Sequence, residues 1–200
     1  LLEQAVSEAA ERMLPRISGG VYLSWQVVDS WEDGQRVYVL GVPRGLIKGY
    51  LAALDTARLQ PEAMDLKALA IVRLARAAQG IVCHLEADYV DLALVVESLP
   101  VALRTVALAP ESAPAEGRLD GLLAAAAALV DDYAVEHPQA PLPVDAPLLV
   151  SGLASPEALD YLASHGGRTV ERITSPVPFP AELPPERFAA HLGLALKRGV

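Results

Sequence analysis

Two hundred residues, 52% hydrophobic and 20% charged, suffice for one medium domain or two small ones with a genuine core, and they exclude global disorder. A net charge of −9, with 16 Lys and Arg scattered along the chain, leaves no electrostatic footprint for nucleic acid. The single cysteine, Cys83, excludes an internal disulfide framework and a zinc centre built on paired cysteines, and it fits a reducing, cytoplasmic setting.

The longest purely apolar run, residues 122–130, falls far short of the roughly 18 residues a membrane-spanning helix requires. The chain opens on Leu1-Leu2-Glu3 without a basic n-region, so no secretory signal is visible, and the missing initial Met points to a trimmed, longer protein.

Residues 2–13 read as a helix rich in Ala and Glu that stops before Pro15, because proline disfavours the helical conformation of its predecessor. Val21, Leu23, Trp25 and Val27 alternate with polar or amphipathic neighbours, Asp33-Gly34 supplies turn chemistry, and residues 37–42 resume an extended apolar run. A hairpin is expected, with Trp25 in its core. Pro43 suits the first turn of a helix whose apolar face (Leu46, Ile47, Tyr50, Leu51, Leu54) packs on that hairpin. A second helix over residues 66–78 is apolar nearly all round, as expected of an element buried between two sheets.

After Gly80 come strand-like runs at 81–85, 92–96 and 101–108, which predict an antiparallel meander opening a new sheet. Residues 109–115 are a linker by composition. A long helix follows over 118–135, with Leu119, Leu122, Leu123, Ala126, Leu129, Val130 and Tyr133 on one face. A strand at 148–150, a helix at 156–164, a strand at 169–173, a proline-rich loop at 176–185 and a last helix from about Pro185 complete the chain.

This order of elements, and the residues in them, resembles the PilM-type assembly proteins of type IV pili, relatives of FtsA in the actin-like ATPase fold. The resemblance rests on Leu2-Glu3-x-Ala5-Val6-x-Glu8-Ala9 before Leu14-Pro15, on Val39-Leu40-Gly41-Val42-Pro43-Arg44 with Tyr50-Leu51-Ala52-Ala53-Leu54, and on Pro61 with Asp65-Leu66-Lys67-Ala68-Leu69-Ala70. It continues in Leu148-Leu149-Val150-Ser151-Gly152 with Leu159-x-x-Leu162, and in residues 188–196. It implies an α/β fragment of the actin-like ATPase fold: a small inserted domain over residues 1–79, then a carboxy-terminal lobe over 80–200, shortened between 108 and 118.

Departures from the family pattern fall where nucleotide would bind. The family ends the first strand of its second half in Asp-x-Gly, followed by Thr, to address phosphate and Mg²⁺. Here His84 stands for the Asp, Glu86 for the Gly and Val90 for the Thr. A glutamate Cβ blocks close backbone approach, its charge repels phosphate, and valine offers no hydroxyl. At the adenosine-side loop, Ser151-Gly152-Leu153 puts a side chain where a second glycine would leave room for the base. The expectation is that no cofactor is bound through this half.

His84-x-Glu86 opens a zinc deaminase pattern, but the required pair of later cysteines cannot exist with one cysteine, so a strand-end pair at the surface is the plainer reading. Cys83, in an apolar strand, reads as core. Glu86, Asp88 and Asp91 read as a solvated edge. Trp31, at the hairpin turn, is the candidate partner anchor because a turn exposes it.

The resemblance implies a non-enzymatic cytoplasmic scaffold, held at the inner membrane by an inner-membrane partner of the PilN type whose cytoplasmic tail it binds, with self-association possible and no contact with nucleic acid. The alternatives are an active protein whose ATP and Mg²⁺ are held mainly by an amino-terminal lobe, and an unrelated α/β interaction module. Two separate small sheets would favour the family over the last.

Overall fold

The computed structural model describes residues 2–14, 18–110, 114–176, 178, 180 and 185–197. The chain divides into two compact units, Leu1–Met64 and Asp65–Val200. The division therefore falls at 64/65 rather than at 79/80. The helix over residues 67–75 packs on the larger unit's sheet and its last helix, which assigns it there.

The first unit consists of helix α1 (Leu2–Met13), strands β1 (Val21–Trp31) and β2 (Gly34–Pro43), and helix α2 (Arg44–Thr56). The expected stop of α1 holds to Met13, while Pro15 lies outside the described residues. The strands pair antiparallel from Val21↔Pro43 to Trp31↔Gly34, with a register shift between Val27 and Asp29. Glu32 and Asp33 form the two-residue turn, so Gly34 opens β2 rather than completing the turn. The Trp31 indole lies over Gly34, where an added Cβ would sit 2.5 Å from Trp31 Nε1.

Helices α1 and α2 both pack on β2. Trp25, expected in the core, is 37% exposed, because its strand is not the one that these helices pack on most. The α2 face is likewise only partly used. Ile47 and Leu54 are half-buried, whereas Leu46, Tyr50 and Leu51 are exposed, since the helix's apolar arc is wider than the strip β2 offers. Pro43 does precede the helix, and Arg44 Nε donates to the Val21 carbonyl at 3.1 Å with its guanidinium over the Tyr22 ring.

The second unit is built on a five-stranded mixed sheet of order β5-β4-β3-β6-β7, separate from the hairpin. Strands β3 (Gly80–Leu85), β4 (Tyr89–Val96) and β5 (Leu99–Ala107) form the expected meander. Glu97 and Ser98, both at positive φ, make its second turn. Helix α4 (Ala115–Glu136) then carries the chain to β6 (Leu148–Gly152), parallel to β3, and helix α5 (Pro156–His165) carries it to β7 (Val170–Arg172), parallel to β6. Ser155 caps α5, accepting from the Ala158 N–H, with Pro156 in the first helical turn. Of the expected linker, residues 111–113 lie outside the described residues, as do 177, 179 and 181–184 of the proline-rich loop. A short 3-10 turn, Pro185–Phe188, leads into helix α6 (Ala189–Ala195).

Alternation along the strands sorts two cores. Ile81, Cys83 and Leu85 of β3, Val90, Leu92 and Leu94 of β4, and Leu148 and Val150 of β6 meet Leu119, Leu122, Ala126 and Leu129 of α4 and Leu162 of α5. On the other face, Val82, Ala93, Val95 and Leu149 meet Ile71, Val72 and Leu74 of helix α3 (Lys67–Ala75) and Ala189 of α6. Each such buried leucine or isoleucine contributes about 1.5–3 kcal/mol. Helix α3 thus lies between a sheet and a helix, not between two sheets. Its approach to α6 is close enough that a Cβ on Gly193 would sit 1.8 Å from the Ala70 carbonyl oxygen. Arg73 seals the contact by donating to the Gly193 carbonyl and to Asp65, both at 2.8 Å.

Candidate functional site

The strand period of two places His84 on the α3 face of β3, between Val82 on the same face and the turn that follows. The sheet register puts Asp91 of β4 opposite it on one side and Ser151 of β6 on the other, and Thr105 of β5 opposite Asp91. Four strands thereby contribute one polar row, Thr105-Asp91-His84-Ser151, across an otherwise apolar sheet face.

The row is joined by short hydrogen bonds. Thr105 Oγ1 donates to Asp91 at 2.6 Å, and His84 Nδ1 is 2.8 Å from Ser151 Oγ. His84 Nε2 is 3.2 Å from Glu86 Oε1, in the β3–β4 turn. Lys67, in the first turn of α3, reaches over the row. Its Nζ lies 2.8 Å from Glu86 Oε1, 2.8 Å from Asp91 Oδ2 and 2.9 Å from Tyr89 Oη. The turn itself is held by the Glu86 N–H donating to the Tyr89 carbonyl and by Arg118 of α4 donating to the Ala87 and Glu86 carbonyls.

Burial and charge fix the protonation states. Burial and the nearby Lys67 ammonium lower the His84 pKa below its usual value, against an opposing pull from Glu86, so the ring is neutral near pH 7. A carboxylate only accepts, so Nε2–H donates to Glu86 and Nδ1 accepts from the Ser151 hydroxyl. Partial burial works to raise the Glu86 pKa, but the hydrogen bond and charge of Lys67 outweigh it and hold the group below the usual carboxylate range. For Lys67, burial acts to lower the pKa, and bonds to Asp91, Glu86 and Tyr89 carry it above the ordinary lysine value. Burial pushes the Cys83 thiol up, which agrees with a packed, unreactive core residue.

The order Ser151–His84–Glu86 has the hydrogen-bonding sequence of a hydrolytic triad. Ser151 is 1% exposed, however, so no substrate carbonyl reaches its Oγ in this arrangement. Among the described residues, no group of three or more His, Cys, Asp or Glu side chains could hold a metal ion.

The structure brings together His84, Glu86 and Ser151 from the sequence candidates and separates the others. The His84–Glu86 pair exists, but it is not a surface pair: His84 is 4% exposed. Val90 is fully buried beneath α4, on the opposite sheet face from His84, where it packs rather than lining the turn. Gly152 has φ +86°, and a Cβ there would stand 2.2 Å from the Leu85 carbonyl oxygen, so close strand approach dictates this glycine. Leu153 donates its N–H to that same carbonyl and leaves its side chain exposed. Trp31 belongs to the first unit and is 53% exposed. Glu86 and Asp91, expected at a solvated edge, are instead paired by Lys67, because β4 is an interior strand; Asp88 alone of the three is exposed. Lys67 was not a candidate from sequence, since its partners become visible only through the register.

No family model and no curated protein matches the chain. Among solved structures it is similar to a chain of a PilM–PilN type IV pilus biogenesis complex, with 22% identity over 98% of this chain and 71% of that one, at a TM-score of 0.65. The chain has the actin-like ATPase fold, α/β with a mixed sheet. It is also similar to the cytoplasmic domain of EpsL, an inner-membrane component of the type II secretion system of Vibrio cholerae, with 15% identity, 99% and 66% coverage and a TM-score of 0.50. A protein of unknown function with an actin-like ATPase fold from Bacteroides thetaiotaomicron shares 12% identity over 96% of this chain and 64% of that one, at a TM-score of 0.45.

Proposed function

We propose that this protein is a PilM-like, non-enzymatic scaffold of a pilus or related secretion apparatus, cytoplasmic and held at the inner membrane by the cytoplasmic tail of a PilN-type partner. The observation that carries the reading is the Lys67–Glu86–His84 network, which fills the turn that in PilM-type proteins addresses phosphate. A phosphate oxygen brought there would meet a carboxylate, and the one nearby ammonium already has its three donors engaged. Phosphate would have to displace those bonds, which disfavours nucleotide on this lobe.

Similarity to a PilM–PilN complex supports the partner assignment, and similarity to an inner-membrane secretion component's cytoplasmic domain supports the setting. Among the described residues no helix is long and apolar enough to cross a membrane, which suits recruitment through a partner. Trp31, exposed beside the hairpin turn, is the candidate anchor on this chain.

Fluorescence anisotropy with labelled peptides from the partner's cytoplasmic tail tests the proposal. Saturable binding that is the same with and without Mg-ATP is expected. Absence of binding, or binding only with Mg-ATP, contradicts it.

A further inference from the structure

Strand β5 ends the five-stranded sheet: one of its edges pairs with β4, and the other meets no strand among the described residues. Its nine residues make a long free edge, since strands usually run to about five or six. Leu103, opposite Ala93 of the core on the α3 side, carries that apolar surface out to the edge and is 38% exposed. Proteins close such edges with proline, charge or a bulge, and here these devices sit at one end only. Pro100 has no N–H to offer, and the register shift against Leu94 and Val95 puts a bulge at Val101. From Ala102 to Ala107 the ladder is regular. The one charge in that stretch, Arg104, lies on the α4 face and donates to Asp132 at 2.6 Å.

Charge and register together select the occupant. On a chain of net charge −9 this neutral strip is where two copies meet with least repulsion, and the strip is complementary to itself. An antiparallel pair keeps the α3-face residues of both copies on one side only when odd positions oppose odd positions. A two-fold axis at Leu103 would draw Pro100 and the bulged Val101 into the ladder, and one at Arg104 would set two guanidiniums opposite each other. An axis at Thr105 does neither: it sets Thr105 against Thr105, Leu103 against Ala107 and Arg104 against Val106. We infer that two copies of this chain associate through β5, edge to edge and antiparallel about Thr105, joining their five-stranded sheets into one. The pairing closes at a dimer, because β7, at the sheet's other end, is only three residues long. This goes beyond the scaffold reading and does not rest on it.

Sedimentation velocity over about 1–300 μM protein tests the association. A reversible monomer–dimer equilibrium is expected, with a dissociation constant on the order of 10–100 μM, as suits a small contact. Leu103→Lys sets a charge on the edge and should weaken the dimer at least about tenfold. Val144→Lys adds the same charge at an exposed position in the loop before β6 and should leave the equilibrium within about twofold. Disulfide formation under mild oxidation reads the register, since the native Cys83 is buried. Leu103→Cys chains mixed with Ala107→Cys chains should couple to each other at least about fivefold faster than Leu103→Cys couples to itself. A monomer throughout, or a dimer that Leu103→Lys leaves intact, overturns the proposal. Faster coupling of Leu103→Cys to itself overturns the axis at Thr105. If Leu103→Lys does not fold, the cysteine pair decides, and absence of coupling between its two chains overturns the contact.

Discussion

The His84 ring and the Ser151 hydroxyl, 67 positions apart, meet at 2.8 Å across the neighbouring strands β3 and β6. That bond, together with the one to Glu86, keeps a neutral imidazole in a polar row set among apolar neighbours on this sheet face. The neutrality has a cost that pH exposes.

The folded His84 pKa lies below the ordinary 6.5, so as pH falls the unfolded chain takes up this proton before the folded one does. Its contribution to stability is therefore complete above that value and lost as pH falls toward the folded pKa. Glu86, held below its ordinary 4.5, adds a second loss in the same direction at lower pH. Urea unfolding between pH 7.5 and pH 4 should show stability declining from about pH 6.5, and His84→Gln should flatten the first part of that decline. An unchanged profile in the variant would refute the assignment.

Gly193→Ala is expected to destabilise the chain by about 2–3 kcal/mol, because its Cβ would collide with the Ala70 backbone and force α6 off α3. Chemical denaturation measures this directly. Gly117, with open space around it, is the control: Gly117→Ala should be neutral or stabilising by up to about 1 kcal/mol.

The two units should respond differently to truncation. Leu122→Ala, at a fully buried position under the sheet, should cost about 2–5 kcal/mol. Tyr50→Ala, on the exposed arc of α2, should stay within about 0.5 kcal/mol.

Much of this fold is legible in the sequence. Alternating residues and a glycine or acidic turn give the hairpin and the meander, and the repeat from Leu119 through Leu122, Ala126 and Leu129 to Tyr133 gives α4 and its buried face. What sequence leaves out are relations between distant positions. That Trp25 stays 37% exposed depends on how much of its strand the helices cover, not on its own alternation. That Val90 and Asp91 face opposite sides follows from the period of two, but only the register shows Asp91 beside His84 and within reach of Lys67. The domain boundary is shifted for a similar reason: α3 reads as a helix of the small inserted domain, yet its buried residues match the larger sheet.

Trp31→Ala is expected to weaken binding of a PilN-type tail peptide by at least about tenfold, or about 1.4 kcal/mol. Its melting temperature should stay close to that of the native chain, since the ring is exposed and lies over Gly34 at the start of β2. Unchanged affinity removes Trp31 from the interface.

Isothermal titration of Mg-ATP into the native chain, beside a His84→Asp/Glu86→Gly variant that reopens the turn, tests the central claim most directly. No binding heat with the native chain up to millimolar nucleotide, with binding gained in the variant, is the predicted result. Micromolar binding to the native chain would contradict the account, because nucleotide would then be held in spite of the Lys67–Glu86–His84 network.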